Sequence, residues 1–535
     1  MTHNDGLKND GRRSATVRAP HHMVAAADHL ATSAGTSTFE RGGNAVDAAI
    51  AANAVMAVTS PHLCGLGGDL FALVHLDGQV VALNASGRAG SGADPEGLRA
   101  AGHDAMPFRH DIRTVTVPGC VDGWLALHRR FGTLPLDVIV EPARRLAADG
   151  FPAGPLLVAS LAALDARGRA ALSELAEQAT RTGSPVRRPG VARVLSTITS
   201  GDRAAFYEGE FGEGLHSLGD GLYSANDLTT PAADWVEPLS TRAFGVELHT
   251  IPPNSQGYLT LAASRLAERL PLPDDPDDPL WPHLLIEAAG AAGHDRVDAL
   301  HEDADGDALL TAIDARLDRI DPDRAARWVA PTSDGDTTYL CTAGRGVDGR
   351  LMGVSLIQSN AAGFGSHLVE PNTAINLHNR GLGFSLRPGH PAEFGSGRRP
   401  PHTLSPALAT RRGHLAAVFG TMGGDAQPQI LLQIAARLFH HGQSAGRAIQ
   451  AGRWALRGPT TGFDTWSRGT SPAVYVEGHA SAVWEAGLEA RGHDVHDAEP
   501  WDGAFGHAHA IVVDGNGMLA GAADPRTRVG SCSGG

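Results

Sequence analysis

Residues 44–59, Asn-Ala-Val-Asp-Ala-Ala-Ile-Ala-Ala-Asn-Ala-Val-Met-Ala-Val-Thr, constrain the fold more than any other stretch. Val46, Ala49, Ile50, Ala54 and Ala57 recur at helical spacing. Asn44 is a suitable N-cap, Asp47 faces the positive end of the helix dipole, and Ser60-Pro61 ends the run. A helix with so many alanines can lie close against a sheet. The flanking sequence supplies strands for one: 23–26 before it, then 70–76 and 79–84 joined by the Asp77-Gly78 turn. A second helix, 28–41, ends at Gly42-Gly43.

This layering suits the chain as a whole. Its 535 residues are 42% hydrophobic and 19% charged, a core-forming α/β composition that a large enzyme can hold in one body. The net charge of −15 comes without a basic face, which argues against nucleic acid as a partner. Cys64, Cys120, Cys341 and Cys532 are scattered without metal-ligand spacing, as expected of free thiols in a reducing compartment. The polar start of the chain lacks a signal-peptide core, and no apolar run reaches a membrane-spanning length of about 18 residues. A cytoplasmic protein with no membrane partner is expected.

The two halves differ in texture. Residues 1–20 read as a flexible tail and 135–330 as mostly helical, with 301–330 an exposed acidic arm. After Ser333-Asp334-Gly335-Asp336 the chain turns to strands: 337–343 and 351–358 form a hairpin, with 374–378 a further short strand. Residues 415–420 end at Thr421-Met422-Gly423-Gly424-Asp425 and lead into a helix over 428–440. A last hairpin turns at Asn516-Gly517, followed by a tail from about 527.

Several motifs could carry chemistry. Gly65-Leu66-Gly67-Gly68 precedes a strand, the reverse of the phosphate-binding order, and reads as a tight turn. Cys64 beside His62 and near Asp69 is one conceivable nucleophile. The other is a threonine freed by self-cleavage, for which Thr337 and Thr338 are rivals on local sequence alone. The paired histidines at 21–22, 440–441 and 507–509 lack acidic or thiol partners nearby, so no metal or cofactor is expected.

Taken in chain order, several segments resemble the γ-glutamyltransferase family of N-terminal nucleophile hydrolases. They are Arg41-Gly42-Gly43-Asn44-Ala45-Val46-Asp47-Ala48-Ala49, Gly65-Leu66-Gly67-Gly68-Asp69-Leu70-Phe71, Val117-Pro118-Gly119 with Gly123-Trp124, and Pro252-Pro253-Asn254-Ser255-Gln256-Gly257. Asp336-Thr337-Thr338, Gly363-Phe364-Gly365-Ser366, Gly423-Gly424 and Ala523-Asp524-Pro525-Arg526 continue the match.

The resemblance implies a four-layer αββα sandwich, cleaved between Asp336 and Thr337 into a large subunit (21–336 after the tail) and a small one (337–535). Thr337 matches the nucleophile, whose own α-amino group, with a reference pKa of roughly 7.7–8.0, serves as base once cleavage frees it. Ser359 matches a hydroxyl that bonds the nucleophile, and Gly423 and Gly424 the pair forming an oxyanion hole. Arg88 matches the arginine that binds the substrate α-carboxylate; His402 and Thr403 stand where a Ser-Ser pair helps hold it. The implied partners are a small amide substrate, water or an amine acceptor, and the two subunits themselves.

The match fails at the amino-group pocket. Positions that carry Asn, Gln and Asp in the family are here Ala361, Arg380 and Gly383. Asn360 could replace the Asn in part, and Glu370 or Glu393 could supply a carboxylate from a rearranged loop. Arg380 would repel an ammonium and, with Arg88, suits an anion. The expected substrate is a carboxylate-bearing amide, γ-glutamyl or a des-amino glutaryl or dicarboxylic type, as in the acylase branch; a folded but uncleaved, non-catalytic member is the alternative.

Overall fold

The computed structural model describes residues 15–200, 202–326, 328, 337–457 and 472–535. Helix Ala45–Thr59 is buried along its entire length, as its composition demands. Asn44 accepts from the N–H of Val46 (2.8 Å) and Asp47 (3.0 Å), and the Asp47 carboxylate accepts from Asn44 N–H at 3.1 Å. This capping box is worth about 1 kcal/mol. Asp47 also accepts from Thr133 and Leu134 N–H, tying the helix start to the chain beyond helix Cys120–Phe131.

The helix lies on a seven-stranded sheet, ordered Ser531–Gly534, His22–Ala26, Thr338–Arg345, Leu351–Ser359, Asp69–Leu76, Gln79–Ala85, Asp234–Val236. A second seven-stranded sheet runs Val17–Ala19, Leu519–Ala523, Ala508–Val513, His414–Thr421, Ala407–Arg411, Val246–Thr250, Leu239–Ala243. Neighbouring strands are antiparallel throughout both.

Alternation along the strands sorts side chains into three cores. Tyr339, Cys341 and Ala343 join Phe71, Ile357, Leu408 and Val418 between the sheets. Leu340 points to the helices on one outer side, where Thr342 Oγ1 donates to the Ala45 carbonyl at 2.6 Å. Helices Tyr258–Ala267, Leu280–Gly293 and Gln427–Ala435 cover the other sheet. The result is the expected four-layer αββα sandwich.

Residues 21–336 and 337–535 each supply strands to both sheets. Three expectations change. The N-terminal tail is shorter than expected, since Val17–Ala19 pairs with Leu519–Ala523; residues 1–14 lie outside the described residues. The C-terminal tail is a strand: Ser531–Gly534 pairs with His22–Ala26, held there by main-chain bonds that small Ser and Gly side chains do not announce. Buried Arg526 precedes it, bonded to Asp524 and Glu477. The acidic arm is likewise packed in part, with Leu310, Ile313, Ile320 and Trp328 buried in the second core. Among the described residues no helix is long and apolar enough to cross a membrane, and all four cysteines are unpaired.

Candidate active site

Strand register separates the two threonines. Thr338 pairs with Gln358, so Thr337 falls opposite Ser359. Period-two alternation turns Thr337 to the face between the sheets and Thr338 to the helix side. Thr337 Oγ1 donates to Ser359 Oγ at 3.1 Å, whereas buried Thr338 Oγ1 has no partner among the described residues. Asp336 lies outside the described residues, so the bond between it and Thr337 is not described.

Ser359 Oγ is a junction. It also accepts from Ala361 N–H at 2.7 Å and from Arg380 Nη2 at 3.1 Å. Arg380 Nη1 donates to Thr403 Oγ1 at 3.0 Å, so one guanidinium spans both hydroxyls. Its Nε faces Asp69 Oδ2 at 3.7 Å. Burial lowers Arg380 to about 10, against the opposing pull of Asp69 and Asp425, so it stays charged at neutral pH.

Asp69, fully buried at the start of its strand, organises this side. Its Oδ1 accepts from Gly87 N–H at 3.1 Å and its Oδ2 from His402 Nε2 at 2.9 Å, with His378 Nδ1 3.5 Å away. Burial opposes the charge, but the neighbouring histidines and their hydrogen bonds hold the carboxyl below its ordinary range. The preceding turn is drawn tightly over Ser359: a Cβ on Gly68 would stand 2.3 Å from the Ser359 carbonyl oxygen.

His402 is fixed as a neutral tautomer. Nδ1 accepts from Leu404 N–H at 3.2 Å, so Nε2 carries the proton given to Asp69. Burial and Arg380 push it down to about 3. Burial also lowers His62 and His509 to about 3 and His507 to about 4. Each folded value is below the unfolded value of roughly 6.5, so this stability is complete above that pH and is lost as pH falls towards 3–4. Each such histidine contributes a slope of about 1.4 kcal/mol per pH unit. Urea midpoints should drop steeply between pH 6.5 and 5; an unchanged midpoint across that range would contradict the assignment.

Arg380, Thr403, Gly383, Asp425 and Arg296 line a cavity of about 250 Å³, with Leu382 and Phe384 among its apolar walls. Gly423 and Gly424, at φ +133° and +52°, turn the chain from strand His414–Thr421 into the helix at Gln427. Gln256 Nε2 clamps the two sides, donating to the carbonyls of Thr403 (3.0 Å) and Gly424 (2.9 Å). Gly383, the position of the family carboxylate, has no room for one: a Cβ there would lie 2.2 Å from the Pro401 carbonyl oxygen. Asp425 brings a different carboxylate, paired with Arg296 at 3.4 Å.

Other expected residues are placed elsewhere. The Arg88 guanidinium faces Glu302 (3.3 Å), Asp234 (3.6 Å) and the Gly397 carbonyl (3.1 Å), so two carboxylates already balance it. Asn360 Nδ2 donates to the Pro61 carbonyl, away from the cavity. His402 serves Asp69 rather than the cavity. Glu370 accepts from Asn372 and Thr373 N–H within its own loop, and Glu393 pairs with Arg99. Cys64 is fully buried, and burial raises its thiol far above the range of a reactive thiolate. Gln256, Arg296 and Asp425 carry no role in the sequence reading, and Asp69 enters it only as a neighbour of Cys64. Asp69 and Gln256 stand inside matching motifs and Asp425 follows Gly424, which was the available signal.

Comparison with known proteins agrees with this architecture. The family model described as Gamma-glutamyltranspeptidase matches residues 31–533. The oxamate amidohydrolase proenzyme of Klebsiella pneumoniae is 34% identical, over 95% of this chain and 97% of that protein. The glutathione hydrolase-like YwrD proenzyme of Bacillus subtilis is 32% identical, over 96% and 98%. Among solved structures, cephalosporin acylase from Bacillus halodurans superposes with a TM-score of 0.89 at 32% identity, covering 100% of this chain and 99% of that one. The chain therefore belongs to the gamma-glutamyltranspeptidase family of N-terminal nucleophile hydrolases, in its acylase-like branch.

Proposed function

We propose that the protein is an amide hydrolase or acyltransferase that cleaves itself before Thr337 and acts on amides whose acyl part ends in a carboxylate. The observation that carries this reading is the unbroken polar path Thr337–Ser359–Arg380–Thr403, which leads from a hydroxyl to a cavity with a buried guanidinium in its wall. After cleavage the Thr337 α-amino group takes the hydroxyl proton as oxygen attacks the amide carbonyl, and returns it to the departing amine. The acyl group rests as an ester on Thr337 until water or an amine acceptor removes it. The N–H groups at Gly423 and Gly424 are the candidates for the oxyanion, and Ser359 orients the nucleophile.

Arg380, rather than Arg88, is the proposed anion clamp, because Arg380 lines the cavity and Arg88 is held by two carboxylates. The crowded Gly383 removes the carboxylate expected to receive an ammonium there, favouring des-amino acyl groups. Oxamate, the substrate named for the Klebsiella relative, is itself a carboxylate-bearing amide without an α-amino group, and the Bacillus halodurans neighbour is an acylase.

The test is a panel on processed enzyme: glutaryl-p-nitroanilide, γ-glutamyl-p-nitroanilide, the uncharged butyryl-p-nitroanilide, and oxamate. A glutaryl or oxamate preference of at least tenfold over the butyryl compound is expected. Release from the γ-glutamyl compound as fast as from the glutaryl one would overturn the des-amino preference. No turnover of any carboxylate-bearing amide by cleaved protein would overturn the reading.

A further inference from the structure

A cluster away from the Thr337 path joins His110, Asp165 and His367, whose ligand atoms all lie within 4.8 Å of one another. His110 Nε2 and Asp165 Oδ2 are 3.9 Å apart. Among the described residues His110 Nε2 and both ring nitrogens of buried His367 meet no hydrogen-bond partner within normal limits, although the Gly363 main chain lies near enough to act on His367. Asp165 divides its carboxylate: Oδ1 accepts from Gly168 N–H at 2.6 Å, capping helix Ala166–Ala171, while Oδ2 is turned to the histidines. Buried imidazole nitrogens left without a hydrogen bond beside a carboxylate are costly as they stand.

We propose that His110, Asp165 and His367 form a divalent transition-metal site, zinc being the ion best matched by two imidazoles and a carboxylate. Ligands of tetrahedral zinc stand about 3.3–3.4 Å apart, so small side-chain rotations close the set, and water completes it on the exposed side of Asp165. Burial lowers both histidines, His367 to about 4, so they are neutral and ready to ligate at pH 7. Arg109 and Arg167 also act on the cluster and oppose a cation. Micromolar affinity is therefore expected rather than the tight binding of a thiolate site.

The buried group His283, Glu287 and His493 offers a contrast. There, His283 already bonds His493 and the Asp321 carbonyl at 2.8 Å each, so no imidazole of His283 is left to ligate.

The placement gives the ion work to do. His110 N–H donates to the Ser366 carbonyl at 2.7 Å, and His367 ends the loop that starts at Ser359 and Ala361. An ion here would pin that loop to two segments that precede Thr337, a cross-tie persisting after cleavage between the two products. Metal binding itself does not depend on cleavage.

The test uses full-length protein stripped with chelator, dialysed, and titrated calorimetrically with ZnCl2. Expected is one Zn2+ per chain at micromolar affinity, with a zinc-induced rise in Tm and tetrahedral d–d absorption when Co2+ replaces zinc. Asp165→Asn, which keeps the cap, and His110→Gln should each weaken binding at least tenfold and remove the rise in Tm. His367→Gln should abolish binding; if it does not fold, the exposed Asp165→Asn still decides. No stoichiometric binding, or binding unchanged in Asp165→Asn and His110→Gln, overturns the proposal, the latter because other histidines would then hold the ion.

Discussion

Thr337→Ala should yield a single 535-residue chain where the parent gives two, residues 1–336 and 337–535, and activity should fall by about 10⁴-fold or more. The size of the effect follows from one residue serving twice. In the proposed mechanism its hydroxyl is the attacking group in self-cleavage, and afterwards its hydroxyl and amine serve as nucleophile and base. Alanine removes the first event and so prevents the second. Thr337→Ser keeps the hydroxyl and should still process, more slowly. Thr338→Val is the control: Thr338 Oγ1 has no partner among the described residues, and its side chain points to the helix layer, so processing should persist. Denaturing electrophoresis with N-terminal sequencing of the small fragment reads all three. A small fragment beginning elsewhere, or cleavage surviving Thr337→Ala, would show ordinary proteolysis instead.

Arg380→Met should lower kcat/KM for glutaryl-p-nitroanilide by about 10²-fold or more, while butyryl-p-nitroanilide loses less than tenfold. The guanidinium is buried and charged, and its two prongs already hold Thr403 and Ser359, so it is pre-oriented for a planar anion. Losing such a charge from a desolvated site costs roughly 2–5 kcal/mol in the bound anion. The neutral substrate measures the part of the loss that comes from disturbing Ser359. Arg380→Lys retains the charge without the fork and should fall between. Equal losses on both substrates would assign Arg380 to positioning Ser359 rather than to recognition. Arg88→Met should leave the substrate ratio unchanged, since Arg88 is engaged by Glu302 and Asp234.

The legible parts of this chain were local ones. The Asn44 cap, the Asp77-Gly78 and Asn516-Gly517 hairpin turns, and the alternation on either side of 344–349 depend on neighbours within a few residues, and each forms as read. The edge strands Val17–Ala19 and Ser531–Gly534 were missed for a related reason: three or four residues with small or polar side chains carry no pattern until a partner strand supplies the hydrogen bonds.

The active-site reading divides the same way. Sequence by itself determined the helices, turns and hairpins, because caps and periodicity are properties of contiguous residues, and its motifs carried the family resemblance that implied the layered sandwich and Thr337. Tertiary structure alone decided that Thr337 meets Ser359 while Thr338 faces away, since a strand's two faces acquire meaning only when its register is set. It also decided which arginine reaches the cavity. Arg88 and Arg380 are chemically identical, and what separates them is the set of charges each meets: Glu302 and Asp234 hold one, while Asp69, Ser359 and Thr403 aim the other from segments distant in the chain. An electrostatic role belongs to a neighbourhood, and that neighbourhood exists only in the folded protein.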